Sequence, residues 1–540
     1  MKNILIIGSG ISGLTCAIKC AEQGMHVILV SPYPSERAQS VMAAGGINAV
    51  LDTNGENDSV LCHIEDTMKG GCDIASRTAV DGLCRRAPLI IQWLEELGTV
   101  FTRDDKQRID LRAFGGQRHK RTAYAGASTG KQIVTALVHE ARRFECMGLI
   151  ERRLGLHFYS ALLNDDECYG ALLYDSNSHR LEAVYAEDIV MATGGQNGLF
   201  GKTTGSSLCD GYAAGKLFMQ GAKLKNLEFI QYHPTTVETT QKRMLITEGA
   251  RGEGGRLYYL DGDRRVYFME DKYGEGGNLM PRDIVSKCIY DAPSQVYLDI
   301  AFLGKETISK KLSEVYTLCR DYAGIDVTKE SIPVYPSVHF FMGGLSVDNS
   351  HRTNLKRLYA VGECAAIYHG ANRLGGNSLL AAIHSGMTAA ESISGENFAV
   401  SKCDFSSYIS EQESLMDKIF SSESRFSAVY VKQDIAKIIN SDLGITRTGD
   451  KLRRGIESMD YYLSVCDKLK FDCEISPYQS YSLEGMITLA GAVLTCAEAR
   501  KETRGAHIRE DYPERSDDLC CATVISYNSG KFETEFVKES

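Results

Sequence analysis

Five short motifs in the middle of the chain carry polar side chains that could bind a doubly charged anion. Each motif lies among glycines or beside a proline, and the residues in question are His233 in FIQYHPTT, Thr247 in LITEGARGEGG, Arg282 in LMPRDIV, His339 in VYPSVHFFMGG and Arg373 in YHGANRLGGNSLLAA. Arginine forks bind carboxylates through two parallel hydrogen bonds, while histidine and threonine add directed donors. Together these residue types suit a dianionic substrate.

Each motif taken alone also fits ordinary structure. His233 precedes a proline, where a histidine is commonly a turn residue, and Arg282 could be a solvated residue behind Pro281 in the first turn of a helix. The glycine-rich TEGARGEGG could be a plain loop. Five such motifs in one chain favour a shared site, although their spacing along the sequence does not prove that they converge.

The N-terminal segment has the form of a nucleotide-binding unit. KNILIIGSGISGLTCAIKCAEQGMHVILVS predicts a strand, a glycine turn, an amphipathic helix and a second strand. Gly8, Gly10 and Gly13 form the G-x-G-x-x-G pattern, which permits a tight turn, close approach of a pyrophosphate and close packing of helix on strand. The helix N-terminus favours the diphosphate. Ser31 stands where an acidic residue usually binds the ribose, which is a departure from the pattern.

Two later segments predict further strands of the same fold. AEDIVMATGG reads as a buried strand over residues 189–192 that ends at Thr193 and Gly194, and LKRLYAVGECA reads as a strand over residues 358–361 that ends near Glu363. The nucleotide domain is therefore expected to be built from segments far apart in sequence. This layout is typical of flavin enzymes with an inserted substrate domain, so FAD is favoured over NAD. The predicted fold class is α/β (α+β overall).

Composition limits the remaining possibilities. The net charge of −10 and the scattered basic residues argue against a nucleic-acid-binding surface. The chain has no run of about 18 apolar residues, so we expect no direct membrane insertion, and its first predicted strand leaves no room for a signal peptide. The 17 cysteines include no CxxC pair, which predicts reduced thiols in the cytoplasm and no iron–sulfur, zinc or other metal site in this chain.

At these motifs the chain resembles the flavoprotein subunit of the succinate dehydrogenase/fumarate reductase family, whose superfamily includes L-aspartate oxidase. The resemblance runs from residue 4 to about 518 and includes ATGGQNGLFGKTTGSSLCDGYAAG, LEFIQYHPTT, TEGARGEGG, PRD, HFFMGG, GANRLGGNSLL and ETRGAHIREDYPERSDD. It implies a Rossmann-like FAD-binding domain interrupted by a capping domain and followed by a helical domain. The implied boundaries are 1–227 and 344–395 for the FAD-binding domain, 228–343 for the capping domain, 396–505 for the helical domain and 506–540 for the tail.

The resemblance also implies a reaction, namely hydride transfer between flavin N5 and a central carbon of a four-carbon dicarboxylate. Arg282 would be the general acid or base, which is unusual because a guanidinium rarely releases a proton. Glu248 and Arg251 would resupply that proton. The carboxylates would be held, and one of them twisted out of conjugation, by His233, Thr247, His339 and Arg373.

A larger set of residues is expected to line the FAD: Gly8, Ser9, Gly10, Gly13, Ser31, Gln39, Ser40, Ala44, Gly45, Gly46, Thr193, Gly194, Asp210, Glu363, Arg373, Ser378 and Leu379. Within RAQSVMAAGG, the ungapped match from Ser31 to Gly46 aligns Gln39 with the histidine that bonds covalently to the flavin in the membrane-linked enzymes. Glutamine cannot form this bond, so we predict non-covalent FAD. Because a covalent link generally raises the flavin potential, its absence favours fumarate reduction over succinate oxidation.

Three alternatives remain open from the sequence. L-aspartate oxidase is similar in length and binds FAD non-covalently, but HFFMGG, GANRLGGNSLL and GAHIREDYPERSDD look more like fumarate reductase. A different 2-enoate reductase on the same scaffold is the second. A flavin-bearing electron-transfer or assembly subunit without its own turnover is the third, and the intact set of polar motifs argues against it.

The source of electrons is expected to lie outside the chain. The family implies a separate iron–sulfur subunit, and other cysteine-rich partners or a soluble flavin donor remain alternatives. After ERSDD the chain continues LCCATVISYNSGKFETEF, whereas quinone-linked members commonly have a tryptophan and a Lys-His pair. This departure weakens the case for a standard membrane complex. We expect a cytoplasmic protein that partner subunits could hold at the inner face of the cytoplasmic membrane.

Overall fold

The computed structural model describes residues 1–126, 128–239, 243–396, 403–421, 427–466 and 477–539. The strands are β1 (Asn3–Ile7), β2 (His26–Ser31), β3 (Ile47–Asn48), β4 (Leu111–Arg112), β5 (Thr122–Ala123), β6 (Ile150–Leu154), β7 (Leu156–Asn164), β8 (Glu167–Asp175), β9 (Arg180–Tyr185), β10 (Asp188–Met191), β11 (Leu224–Lys225), β12 (Ile230–Glu238), β13 (Arg243–Leu245), β14 (Arg256–Asp261), β15 (Arg264–Val266), β16 (Val296–Asp299), β17 (Ile332–Phe341), β18 (Gly344–Ser346), β19 (Leu358–Ala360), β20 (Ala365–Ala366), β21 (Thr446–Arg447), β22 (Ile508–Arg509), β23 (Ala522–Asn528) and β24 (Lys531–Val537).

The helices are α1 (Ile11–Glu22), α2 (Val60–Gly70), α3 (Arg77–Glu96), α4 (Thr129–Cys146), α5 (Tyr212–Met219), α6 (Gly249–Gly252), α7 (Phe268–Tyr273), α8 (Arg282–Tyr290), α9 (Gly304–Lys311), α10 (Ser313–Leu318), α11 (Asn377–Gly395), α12 (Ser406–Ser421), α13 (Ala428–Asp442), α14 (Gly449–Cys466), α15 (Pro477–Tyr481) and α16 (Leu483–Ala499). The mixture of helix and sheet confirms the predicted fold class.

A parallel sheet forms the nucleotide-binding end of the molecule. Its strand order is β19-β10-β1-β2-β6, so the sheet assembles strands that are scattered over a segment from residue 3 to residue 360. The predicted strand at residues 189–192 corresponds to β10, which is shifted by one residue. The predicted strand at residues 358–361 corresponds to β19, which is one residue shorter. The inner strands are buried along nearly their whole length, as parallel strands covered on both faces must be. Helix α1 packs between this sheet and α11.

The third glycine of the nucleotide motif holds helix α1 against strand β1. A Cβ atom on Gly13 would lie 1.9 Å from the carbonyl oxygen of Gly8, which is far inside van der Waals contact. Gly8 has φ +116°, a conformation that favours glycine. The two residues therefore set both the turn and the helix–strand distance.

A second, antiparallel sheet lies between residues 230 and 341. Its strand order is β13-β12-β17-β16-β14-β15, and it has its own hydrophobic core around Ile246, Leu257 and Leu298. Helix α8 packs across β12 and β17. This sheet falls within the segment predicted to be a capping domain, and the boundaries assigned to the domains stay predictions.

The C-terminal third is helical and then returns to a sheet. Helices α13, α14 and α16 pack together, and α16 also packs on α5. The final hairpin, β23–β24, pairs with β11 in a sheet of order β20-β18-β11-β23-β24. Within the described residues, one stretch, Pro477–Ala499, is long and apolar enough to cross a membrane. Since 78% of its most apolar window is buried inside the protein, it has the character of a core helix.

Candidate active site

One elongated cavity of about 310 Å³ runs from the N-terminus of α1 to the antiparallel sheet. It brings together nearly all of the residues that the sequence singled out. Its walls include Gly8, Ser9, Gly10, Ser31, Gln39, Ser40, Ala44, Gly45, Gly46, Thr193, Gly194, Asp210, His233, Thr247, Glu248, Arg282, His339, Glu363, Arg373, Ser378 and Leu379. Two predicted residues lie behind the wall instead, since Gly13 packs against Gly8 and Arg251 sits behind Glu248.

Two helix N-termini open onto this cavity without a capping side chain. Helix α1 follows Gly10, and α11 follows Gly376, which has φ +84°. Both glycines line the cavity. Uncapped N–H groups and the positive end of each helix dipole favour anions, so this end of the cavity fits the diphosphate of a dinucleotide. The glycine cradle and the anion-favouring termini thus fit FAD.

Ser31, the last residue of β2, lines the cavity and is held by two hydrogen bonds. Ser9 Oγ donates to Ser31 Oγ at 2.9 Å, and Ser31 Oγ donates to the carbonyl of Tyr33 at 2.7 Å. Both hydroxyl protons are used in these bonds, so Ser31 Oγ can only accept a hydrogen bond from a ribose hydroxyl, through its remaining lone pair. An acidic residue is more usual at this position.

Aromatic rings that the sequence analysis missed complete this end. Tyr33, His157 and Tyr478 all line the cavity, and the rings of His157 and Tyr478 are 4.3 Å apart. The hydroxyl of Tyr478 donates to Asp210 at 2.8 Å. These residues come from three distant segments without a local motif, so nothing in the sequence indicated that they would meet.

Gln39 lies in the cavity wall, in a 3₁₀ turn over Gln39–Met42. The neighbouring Ser40 Oγ accepts a hydrogen bond from the N–H of Ile11 at 3.3 Å, which ties this turn to the start of α1. A Cβ on Gly46 would lie 2.5 Å from the carbonyl oxygen of Ala123. The small residues of RAQSVMAAGG therefore let the backbone itself form the wall.

The opposite end of the cavity is built around a buried ion pair. Arg282 donates from Nε and Nη2 to the same oxygen of Glu248, Oε2, at 2.8 and 2.6 Å. The other oxygen accepts a hydrogen bond from the N–H of Gly115 at 2.7 Å and lies 3.6 Å from Arg251 Nη2. Burial opposes ionisation of Glu248, but Arg282 and Arg251 outweigh it and hold the pKa of this carboxyl below its usual value.

Gln231 connects the two arginines of the site and was missed by the sequence analysis. Its Oε1 accepts from Arg282 Nη1 at 3.0 Å and from Arg373 Nη2 at 2.9 Å. Its Nε2 donates to Asn372 and to the carbonyl of Arg373, which fixes the orientation of the amide. Gln231 and His233 both lie on β12 two residues apart, a spacing that puts side chains on one face of a strand and could have identified it.

The two histidines face each other from paired strands. Strands β12 and β17 are antiparallel neighbours, and the ring centroids of His233 and His339 are 5.2 Å apart. Burial, together with the charge of Arg282, lowers the pKa of both imidazoles well below the usual value. Both rings are therefore neutral near pH 7. His339 Nδ1 shares a hydrogen bond with Thr204 Oγ1 at 2.8 Å.

The electrostatic balance at this end favours an anion. Arg373 is buried over the ring of Phe340, and burial with the nearby Arg282 lowers its pKa. Its Nε has no hydrogen-bond partner among the described residues, so it still has a donor to offer. Thr247 lines the same wall. Two guanidiniums, one carboxylate and two neutral imidazoles leave the site one positive charge in excess before an anion enters.

Two other polar residues border the cavity. Glu363 is buried, which raises its pKa to about 7, and one of its oxygens accepts from the N–H of Phe341 at 3.1 Å. His369 lines the wall, where burial lowers its pKa to about 3. Asn377, from the same GANRLGGNSLL motif, instead contacts Asn48 and His63 beneath the cavity.

Comparison with known proteins agrees with this geometry. The model of the FAD binding domain matches residues 3–379, and that of the fumarate reductase flavoprotein C-terminus matches residues 432–539. The chain is 36% identical to the succinate dehydrogenase flavoprotein subunit of Bacillus subtilis (98% of this chain, 95% of that protein) and 30% identical to the L-aspartate oxidase of Yersinia pestis (96% and 97%). A solved quinol-fumarate reductase with menaquinol molecules superposes with a TM-score of 0.91 at 27% identity, covering 100% of this chain and 98% of that one.

Proposed function

This chain belongs to the succinate dehydrogenase/fumarate reductase flavoprotein family of FAD-dependent oxidoreductases, and from that premise we propose that it reduces fumarate to succinate with non-covalent FAD. The observation that carries the proposal is the convergence of Arg282, Arg373, His233 and His339 at one end of a cavity whose other end fits a dinucleotide. A dianion bound there would lie beside the cofactor.

Substrate binding follows from the charges. Arg373 and Arg282 would pair with the carboxylates, and Thr247 and the two neutral imidazoles would add hydrogen bonds without further charge. Gln231 holds the two guanidiniums at a fixed separation before substrate arrives, so less side-chain order remains to be imposed on binding. Such rigid donors can twist one carboxylate and polarise the double bond.

Proton delivery is assigned to Arg282. When bound, FAD supplies the hydride chemistry of the reduction. Fumarate also needs a proton at the other central carbon. Among the donors of the cavity wall, the Arg282 guanidinium is the one that is paired with a carboxylate, that of Glu248. Glu248 can return a proton to Arg282 through its 2.6 Å contact, and Arg251, buried behind Glu248, is the next group outward. Excluding water from this chain of groups keeps the proton at Arg282.

The direction of the reaction is inferred from Gln39. Its side chain lies in the cavity wall but has no nucleophile that could bond a flavin. A dissociable flavin is expected to have a lower potential than a covalent one, which favours electron flow toward fumarate.

The donor of those electrons is expected to be another protein. The only cluster of metal-binding residue types found among the described residues contains a single cysteine, so an iron–sulfur centre is assigned to a partner subunit. Such a partner would also account for any attachment to the membrane.

The test is a half-reaction on the purified, FAD-loaded chain. The flavin is photoreduced without oxygen and mixed with fumarate while its absorbance is recorded. Rapid reoxidation in the wild type, with a loss of about 10²–10⁴-fold in Arg282→Ala at unchanged FAD content, would support the assignment. Arg256→Ala, which removes a partly exposed arginine of β14 that is paired with Glu270, is the matched control. Failure of fumarate, with L-aspartate bleaching the oxidised enzyme instead, would make the chain an aspartate oxidase.

A further inference from the structure

We infer that Asp58, Cys62 and His119 form a binding site for a divalent transition-metal ion of the zinc type. The ligand atoms of these residues, a carboxylate oxygen, a thiol sulfur and an imidazole nitrogen, all lie within 4.8 Å of one another. No sequence motif indicates this site, because the ligands come from two segments 57 residues apart and form no CxxC or HxxxH pattern.

The start of helix α2 and the loop that contains His119 bring these three ligand groups close together. Asp58 precedes helix α2, whose first turn is capped by the Ser59 hydroxyl accepting from the N–H of Cys62 at 3.1 Å. Cys62 therefore sits in the first turn, where the helix dipole favours an anionic ligand. Among the described residues, neither Cys62 Sγ nor the His119 ring takes part in a hydrogen bond, so both remain available to a metal.

The carboxylate is fixed before any metal arrives. Arg121, which is fully buried, donates from Nε and Nη2 to the two oxygens of Asp58 at 2.9 Å each. Each carboxylate oxygen has two lone pairs, so Asp58 retains acceptor capacity. Glu56 Oε2 lies 3.9 Å from His119 Nδ1, in position either to orient the imidazole or to complete the ligand set.

The charges around the three ligands favour binding of a divalent cation together with the thiolate form of Cys62. Among the described residues, the carboxylates of Glu56, Asp58, Glu65 and Asp66 are paired with three cations, which are Arg118, Lys120 and Arg121. Loss of the Cys62 proton would add a second excess negative charge, and a divalent ion would balance both. Arg118 and Arg121 both bind Asp66, but Arg118 also donates to the carbonyl of Cys62 at 3.0 Å and Arg121 also binds Asp58, so part of the negative charge at the ligands is already compensated before a metal binds.

The ligand types select the metal. One sulfur, one imidazole nitrogen and one carboxylate oxygen suit Zn²⁺ or Co²⁺ and do not suit Mg²⁺ or Ca²⁺, which require oxygen ligands. Three protein ligands leave a fourth tetrahedral position for water or for Glu56. The ion would lie about half-buried, since all three ligand residues are neither fully buried nor fully exposed.

A metal bound at this site would be connected to the active site through the loop that carries both His119 and Gly115. His119 ends a loop that starts at Phe114, which lines the cavity, and the N–H of Gly115 in this loop holds Glu248. Gln117 ties the middle of the loop to the carbonyl of Gly375 at 2.9 Å. Arg118 and Arg121 already tie this part of the loop to Asp66 of α2, and a metal bound by His119 would add a further connection between the loop and α2.

The test uses the FAD-loaded full-length chain, treated with a chelator and then titrated with Co²⁺ and, separately, with Zn²⁺ and Mg²⁺. We expect one equivalent of Co²⁺ to bind and to give a thiolate-to-cobalt charge-transfer absorption, to be displaced by Zn²⁺, and to be unaffected by excess Mg²⁺. Cys62→Ser should abolish the charge-transfer band and weaken binding at least tenfold. His119→Asn should weaken binding by a similar factor.

Matched controls are Cys146→Ser and His139→Asn, which replace exposed residues of the same types on α4. Both should leave the titration unchanged, and retained FAD absorbance reports that each variant is folded. Hydrogen exchange should be slower over residues 114–121 in the Zn²⁺-loaded wild type. Absence of stoichiometric Co²⁺ binding in the wild type, or binding that survives Cys62→Ser with its charge-transfer band intact, would overturn the proposal. Neither result depends on whether the chain reduces fumarate.

Discussion

Arg282 and Arg373 donate to the same oxygen atom, Oε1 of Gln231, at 3.0 and 2.9 Å. One neutral acceptor therefore holds two like charges side by side in a buried wall. Arg282 also binds Glu248 through Nε and Nη2, whereas Arg373 keeps its Nε without a partner among the described residues, so the amide of Gln231 is a positioning group for the donors that meet an anion.

Replacing Gln231 with leucine should lower kcat/KM for fumarate. The change removes the shared acceptor while keeping a similar volume, and hydrogen bonds to charged groups contribute about 1.5–3 kcal/mol each. Because Arg282 stays bound to Glu248, the effective loss is about that of the one bond to Arg373, and we expect a decrease of roughly 10–100-fold, mostly in KM. Steady-state kinetics with a reduced dye as donor would measure it.

The control for that experiment is Gln92→Leu, which removes an exposed glutamine paired with Glu96 on α3. It should leave kcat/KM unchanged. A Gln231→Leu enzyme with wild-type KM would show that the arginines are held by other contacts.

Acid precipitation should release all of the FAD into the supernatant. Gln39 offers no nucleophile to the flavin, so denaturation removes every contact that holds it. Absorbance and fluorescence of the supernatant give the released fraction, and a yellow pellet would contradict the assignment of a non-covalent cofactor.

Thermal stability should fall as the pH drops below about 6.5. Burial lowers the pKa of several histidines, to about 4 for His63, His157 and His351 and to about 3 for His369 and His384. In the unfolded chain these groups take up protons below pH 6.5, whereas in the folded chain they stay neutral until pH 3–4. Their contribution to stability is present above pH 6.5 and is lost progressively toward the folded pKa values.

The measurement is Tm against pH between 7.5 and 4.5 at constant ionic strength. His384→Asn should flatten the curve in this range, since one titrating group is removed. Gln92→Asn, which replaces an exposed residue that does not titrate, should leave the curve unchanged. A Tm independent of pH above 5 would mean that these imidazoles are not held neutral in the fold.

Gly13→Ala should destabilise the nucleotide-binding end strongly. Its Cβ would lie 1.9 Å from the Gly8 carbonyl, so helix α1 would have to move away from β1. Overpacking a rigid contact costs about 1–3 kcal/mol or more, and FAD affinity should fall with it. Urea unfolding and FAD titration would measure the two effects. Gly395→Ala, at the end of α11 with open space around the new Cβ, is the control.

Local patterns were sufficient to predict four of the five strands of the parallel sheet and the glycine and polar motifs that border the cavity. The strands at residues 189–192 and 358–361 could be identified because buried parallel strands are short apolar runs that end in glycine. The polar motifs were identifiable because arginine, histidine and glycine recur together. Gln231 was missed because a single amide inside a strand is ordinary, and its one signal was the two-residue spacing from His233 on the same strand.

Other features arise only from packing. Tyr33, His157 and Tyr478 meet because three distant segments enclose the same space. Arg251 was predicted at the site and lies behind it, since sequence spacing does not tell which side of Glu248 faces the cavity. Asp58, Cys62 and His119 likewise became a cluster only once the loop from Phe114 had folded back on α2.

The interleaved order of the parallel sheet has a consequence for how the chain is made. Strand β19, the outer neighbour of β10, leaves the ribosome more than 350 residues after strand β1 of the same sheet. At about 5–20 residues per second, the sheet stays incomplete for about 18–70 s, with apolar strand edges unpaired. The antiparallel sheet between residues 230 and 341 has its own core and can form in that interval. Cofactor loading must therefore come late in synthesis, and a nascent chain is expected to depend on chaperones until β19 emerges.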